Sequence, residues 1–278
     1  MPTPISGRAY ARPELLAETG WLAERLTDPR IRIVDARGEK EYAAGHIAGA
    51  VHMDGFGNLP RAENGDMGAP EDFARRVGGL GIDNDTTVIV YDTPSQRMGM
   101  VAWAFLYFGH ADVRILDGGV VKWLAEGRVL DVHRPEPAAA SYSVRPMEAV
   151  YCSLEQAKAG VERDDFVFWD TRSDDEYAGT ATGFRPLPRP GHIPGAAHLE
   201  WTALLDPVSR TLKPAAELRQ LLEARGITPE KQVASYCQGG ARGALGAFVL
   251  RVLGYDRGQA YAGSFEQWSA QADTVVER

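Results

Sequence analysis

The sequence predicts an α/β protein in which one unit, a mainly parallel sheet flanked by helices, is built twice. Three observations carry that expectation. At 278 residues the chain exceeds the roughly 150 residues of an average domain. A series of motifs recurs at a nearly fixed spacing along it. Within each copy, short β-rich runs alternate with helical stretches, the pattern of a parallel sheet with crossover helices.

The first copy contains Ile31-Arg32-Ile33-Val34-Asp35-Ala36-Arg37, then Glu41-Tyr42 and Gly45-His46-Ile47-Ala48-Gly49-Ala50. These return as Phe166-Val167-Phe168-Trp169-Asp170-Thr171-Arg172, Glu176-Tyr177 and Gly191-His192-Ile193-Pro194-Gly195-Ala196. The offset is 135 at the Asp-x-Arg element and 146 at Gly-His-Ile, so the second copy carries an 11-residue insertion near Thr180 to Pro190. The register then settles at 145, pairing Gly81 with Gly226, Tyr91 with Tyr236, Gly118 with Gly263 and Trp123 with Trp268. The expected boundaries are 1–130 for the first unit, 131–148 for a linker rich in Pro and Ala, and 149–278 for the second unit.

Ile31 to Val34, Thr87 to Tyr91 and Val113 to Leu116 read as strands of the first unit, and Phe166 to Trp169 and Gln232 to Tyr236 as strands of the second. Helices are expected at Glu71 to Leu80 and Ala215 to Arg225. Ser153, with Gln156 three residues on, marks a capping-box start for the helix that opens the second unit. Met98 to Gly109 is almost unbroken apolar sequence, far short of the roughly 18 residues of a membrane span, and reads as a buried core helix.

Composition narrows the function classes. An apolar share of 44% and a charged share of 24% suit a globular core. The net charge of -8 argues against nucleic acid or an anionic membrane as the main partner. Met1 to Arg12 lacks a secretory signal pattern, and Cys152 and Cys237 are too few for a disulfide framework or a cysteine zinc site. A cytoplasmic protein with free thiols is the expectation.

Chemistry concentrates at Cys237. It ends the strand Gln232 to Tyr236 and precedes Gln238-Gly239-Gly240-Ala241-Arg242, after which a helix of small residues begins. Two glycines let such a loop curl with its backbone N–H groups inward, and the helix adds the positive end of its dipole. The result is an anion cradle, in which a cysteine is expected to be held as the reactive thiolate. Most free cysteines are merely buried apolar groups, and Cys152, which has no such loop, reads that way. His46 and His192 recur in both copies and are expected to hold the fold, as are the Asp35–Arg37 and Asp170–Arg172 pairs, the latter also shaping the cleft. Trp201 reads as a cleft wall or core residue.

Together the Asp-x-Arg and Gly-His-Ile-x-Gly-Ala elements, the Cys-x-x-x-x-Arg loop, the Gly263-Ser264-Phe265-x-x-Trp268 run and the duplication resemble the tandem rhodanese-domain sulfurtransferases over nearly the whole chain. The resemblance implies two rhodanese-like domains, each a five-stranded parallel sheet wrapped by helices, with only the second catalytic. The family's nucleophile matches Cys237. In the first copy Asp92 stands there, within Asp92-Thr93-Pro94-Ser95-Gln96-Arg97, so that domain is implied to be a structural partner packing over the cleft. The implied reaction takes the outer sulfur of thiosulfate onto Cys237 as a persulfide and passes it to a thiol or cyanide, without a metal or organic cofactor. Gln238, Gly239, Gly240 and Ala241 are then substrate-binding loop residues. Arg242 is expected to hold the donor's oxyanion, helped by Arg185 or Arg189 from the insertion.

The loop carries Gly239 where mercaptopyruvate-using relatives have a hydroxyl, and Glu176 stands where vertebrate-type thiosulfate enzymes have arginine. The chain looks most like the bacterial thiosulfate sulfurtransferases. Three alternatives stay open. One is a 3-mercaptopyruvate sulfurtransferase, and another is a non-catalytic persulfide carrier or interaction module working with a protein sulfur acceptor or donor. The third is a cysteine phosphatase, although phosphatase loops place five residues between Cys and Arg and this loop places four.

Overall fold

The computed structural model describes residues 2–93 and 97–278. Each half forms one five-stranded parallel sheet. The first contains β1 (Leu16–Ala17), β2 (Ile31–Asp35), β3 (Val51–His52), β4 (Thr87–Tyr91) and β5 (Val113–Leu116), in the order β1-β5-β4-β2-β3. The second contains β6 (Tyr151–Cys152), β7 (Phe166–Asp170), β8 (Ala197–His198), β9 (Gln232–Tyr236) and β10 (Gly258–Tyr261), in the order β6-β10-β9-β7-β8. The second sheet repeats the first strand for strand. Ile33 pairs with Ile89 in one and Phe168 with Ala234 in the other. These inner strands are covered on both faces, which is why they read as continuous apolar runs.

The expected strands appear within one residue of their limits, and the expected helices appear as Pro70–Gly79 and Ala215–Glu223. Ser153 does cap its helix: it accepts the Gln156 N–H at 3.1 Å, and its own N–H donates to Gln156 Oε1 at 2.8 Å. The apolar stretch after Met98 forms the helix Arg97–Tyr107, buried from Met98 to Leu106. Among the described residues no helix is long and apolar enough to cross a membrane.

That helix follows β4, and its counterpart Ala241–Val252 follows β9. The two pack against each other across the boundary between the halves, so closely that a Cβ added at Gly99 would lie 2.4 Å from Leu245 Cβ. Residues 131–148 run along the first half. Asp131 pairs with His46, Ala140 N–H donates to Gly78 O at 2.9 Å, and Met147 N–H donates to Tyr107 O at 2.7 Å.

Two loops reach across the boundary in opposite directions. An antiparallel bridge between Arg61 and Met67 closes a loop of the first half, and one between Leu205 and Leu212 closes its counterpart in the second. In the latter, Leu212 N–H donates to Asp117 Oδ1 at 2.8 Å, and Arg8 joins Asp117 Oδ2 at 2.6 Å and Leu212 O at 2.9 Å. Within each half, the repeated Asp-x-Arg pair ties a strand end to the Gly-His-Ile turn. Arg172 meets Asp170 at 2.5 Å and Gly191 O at 2.7 Å, while Arg37 meets Asp35 and Gly45 O, both at 2.6 Å. His192 and His46 stack on Tyr177 and Tyr42 with Nδ1 at 2.9 and 3.0 Å from the tyrosine carbonyls, which is a structural role.

Candidate active site

Cys237 lies at the carboxyl end of β9, the middle strand of its sheet, where parallel sheets place their ligand sites. The loop folds back so that Gly240 N–H points at Cys237 Sγ, 3.1 Å away. This requires glycine: Gly240 has φ of 99°, and a Cβ there would sit 2.6 Å from Ala262 O. Gly240 is also the N-cap of the helix Ala241–Val252, so the positive end of that helix faces the sulfur.

Ser264 fixes the nucleophile's own backbone. Cys237 N–H donates to Ser264 Oγ at 3.2 Å, and that hydroxyl donates to Tyr261 O at 2.9 Å. Ser264 has φ of 54°, in the left-handed region, and the matching position of the first half is Gly119 with the same φ of 54°. The serine thus accepts backbone strain of about 1–3 kcal/mol where its counterpart avoids it.

Arg242 and Glu176 form a two-pronged ion pair, Nη1–Oε2 2.6 Å and Nη2–Oε1 2.8 Å, with both side chains largely buried. Glu176 is also the third residue of a capping box that starts at Ser173. Burial opposes its ionisation, but hydrogen bonds from Arg242 and the charge of that guanidinium prevail and hold the carboxyl below its usual range. Burial likewise opposes the charge on Arg242, and Glu176 with the Cys237 sulfur more than offsets it.

The first half contributes Arg61. Its Nη1 donates to Gly239 O at 2.7 Å, and its Nη2 donates to Ala262 O at 3.1 Å and to Gly65 O. Burial pulls its pKa down, against the opposite influence of the Cys237 sulfur. A cation therefore satisfies the loop's outward Gly239 carbonyl while the Gly240 N–H is left to the sulfur. Sequence reasoning missed Arg61 and the strained Ser264. The Arg61 contact joins residues 178 apart, which no local pattern signals.

A cavity of about 960 Å³ opens over Cys237, which is itself 2% exposed. Its walls include Trp201, Ala241 and Gly239 from the second half, Phe184 and Arg185 from the insertion, and Phe56 and Arg61 from the first half. Arg185 lies at the mouth, with its side chain 66% exposed and 3.3 Å from Glu266. Gln238 is buried behind the loop and ties it to the insertion through Nε2 to Arg185 O at 2.7 Å.

Arg189, expected beside Arg242, is placed elsewhere. Its guanidinium donates to Ser269 O at 2.9 Å, Thr274 O at 2.6 Å and Trp268 O at 3.3 Å, clamping the C-terminal segment, and it does not line the cavity. Those carbonyls occupy the donors that an oxyanion would need. In the first half Asp92 takes the position after β4 and is buried, while Pro94, Ser95 and Gln96 of that loop lie outside the described residues. Cys152 is also buried, and its thiol is pushed up to about 12, by desolvation first and Asp66 second.

Comparison with known proteins agrees with this architecture. The rhodanese-like domain family matches residues 18–126 and again 153–271. The chain is 35% identical to the sulfur carrier protein TtuD of Thermus thermophilus over 93% of its own length and 95% of that protein's. It is 34% identical to the thiosulfate sulfurtransferase of Pseudomonas aeruginosa, covering 95% and 97% of the two chains. The crystal structure of YnjE superposes with a TM-score of 0.87 at 27% identity, over 96% of this chain and 70% of that one. The chain belongs to the tandem rhodanese-domain sulfurtransferases, of the bacterial thiosulfate sulfurtransferase type.

Proposed function

We propose that the protein moves sulfane sulfur from thiosulfate to a thiophilic acceptor by way of a persulfide on Cys237. The observation that carries this reading is a single thiol on the cavity floor with the Gly240 N–H at 3.1 Å and a helix N-terminus behind it. The Cys237 thiolate attacks the outer sulfur of thiosulfate. A new S–S bond forms, the donor's S–S bond breaks, and its electron pair leaves on sulfite. The acceptor, a thiolate or cyanide, then attacks the outer sulfur of the persulfide, and the bonding pair returns to Cys237.

The Gly240 N–H and the helix N-terminus behind it stabilise negative charge on the attacking sulfur. Arg185 and Arg242 put positive charge near the donor, Arg242 sharing its charge with Glu176. Two half-reactions on one enzyme sulfur predict ping-pong kinetics. A cytoplasmic site of action goes with this reading, supported by the unpaired Cys152 and Cys237.

Incubation with thiosulfate is expected to add about 32 Da to the intact protein, the mass of one sulfur in a covalent intermediate. Cys237→Ser should abolish the gain, and absence of any adduct on the unmodified protein would sink the mechanism. Similarity to a sulfur carrier protein favours one second reading, that the loaded protein passes its sulfur to another protein. Loading without steady-state turnover on cyanide or small thiols would select it.

A further inference from the structure

Arg61 reaches the Cys237 loop from the half that has no cysteine, and the atom it holds is one end of a dipole whose other end faces the sulfur. Its Nη1 donates to Gly239 O at 2.7 Å, while Gly240 N–H points at Cys237 Sγ, 3.1 Å away. That carbonyl and that N–H belong to one peptide group, and a planar trans peptide directs them in opposite senses. Fixing the oxygen therefore aims the N–H. Neither Gly239 nor Gly240 has a side chain to hinder rotation of this peptide plane about its flanking bonds. Turned over, the group would present its carbonyl oxygen, the negative end of its dipole, to the sulfur.

Arg61 is itself held in place. Its Nη2 donates to Ala262 O at 3.1 Å and to Gly65 O. The loop that carries it is closed by the bridge between Arg61 and Met67, and Asp66 of that loop accepts the hydroxyl of Tyr151, from the second half, at 2.6 Å. Ala262 O is also the atom that a Cβ at Gly240 would approach to 2.6 Å. One guanidinium thus binds both the carbonyl that precedes Gly240 and the carbonyl packed against it.

We propose that Arg61 is a positioning residue for sulfur transfer, which fixes the Gly239–Gly240 peptide with its N–H on Cys237 Sγ. The proposal rests on the Cys237 persulfide reading. In the first half-reaction the aimed dipole stabilises negative charge on the attacking sulfur. In the second it stabilises the charge that returns to Cys237 when the acceptor takes the outer sulfur. Arg61 also lines the cavity, where its charge by itself would attract a dianion. The two roles separate in kinetics: attraction shows in the donor concentration at half-saturation, and aim shows in the rate at saturation.

Arg61→Met keeps much of the apolar stem and removes every donor. Single-turnover loading by saturating thiosulfate is expected to slow about tenfold. This is less than the roughly hundredfold lost with an oxyanion donor, because the helix N-terminus still faces the sulfur. Alkylation of Cys237 by iodoacetamide, an uncharged reagent, should slow to a similar degree, and a crystal structure of the variant should show the Gly239–Gly240 peptide turned. A shift in half-saturation with the saturating rate unchanged, alkylation at the parent rate, or an unturned peptide would overturn the proposal.

Arg61→Lys guards against misfolding of the apolar variant. It keeps the charge, but its compact ammonium cannot span both carbonyls as the guanidinium does. The saturating rate is expected to fall about threefold while half-saturation stays within about twofold. An unchanged rate would mean that the charge alone suffices, against the proposal. Absence of an adduct on the unmodified protein would instead bring down the persulfide reading, and the proposal with it.

Discussion

At Ser264 a strained backbone and a hydrogen bond to the nucleophile are set against each other in one side chain. The hydroxyl accepts Cys237 N–H at 3.2 Å while φ stays at 54°. Ser264→Gly removes both strain and bond, so its stability should stay within about 1 kcal/mol of the parent. Ser264→Ala keeps the strain and strands a buried N–H, and should lose about 1–3 kcal/mol. Both should slow persulfide formation. Denaturant unfolding and single-turnover loading would check this, and equal stability of the two variants would refute the strain argument. Cys237 and its loop were legible in the sequence because glycines, a strand end and a helix start are local signals. Ser264 was visible only as part of a run, since its role depends on a φ value that the residue type disfavours. Arg189 was one of two candidates because its place in the insertion suggested the cleft, whereas the carbonyls it binds lie some 80 residues on.

Among the elements, the helices Arg97–Tyr107 and Ala241–Val252 do the most to set the site. Each follows the middle strand of its sheet, and their mutual packing carries the two loop positions, Asp92 and Cys237, on one framework. Gly99→Val places branched carbon where Leu245 Cβ already stands, 2.4 Å from the ideal Cβ position. The expected cost is about 1–3 kcal/mol from overpacking, because Leu245 is itself 1% exposed and has little room to give way. A thermal melt would read it, and an unchanged midpoint would show that the helices can slide apart freely. Inner strands and long helices were legible from apolar runs and turn residues. The two-residue edge strands were not, and neither was β10, whose Gly-Gln-Ala-Tyr contains no β-branched residue and is specified by its neighbours β6 and β9.

In the whole molecule, the two halves cannot be separated energetically. Arg61 completes the second half's loop, while Leu212 and the N-terminal Arg8 meet at Asp117 of the first half. Unfolding is therefore expected as one cooperative transition, with calorimetric and van't Hoff enthalpies in agreement. Two resolved transitions would contradict that coupling. The reciprocal loops also carry a consequence for ancestry. Each half presents the same brace and receives the same brace, which is the self-complementary contact of a two-fold dimer. A single ancestral copy would have offered a surface that fits another copy of itself, and duplication on one chain replaces encounter with tethering. Once tethered, the pair needs a thiol in only one copy, the first having Asp92 where the second has Cys237, provided that the first keeps the arm that steadies its twin.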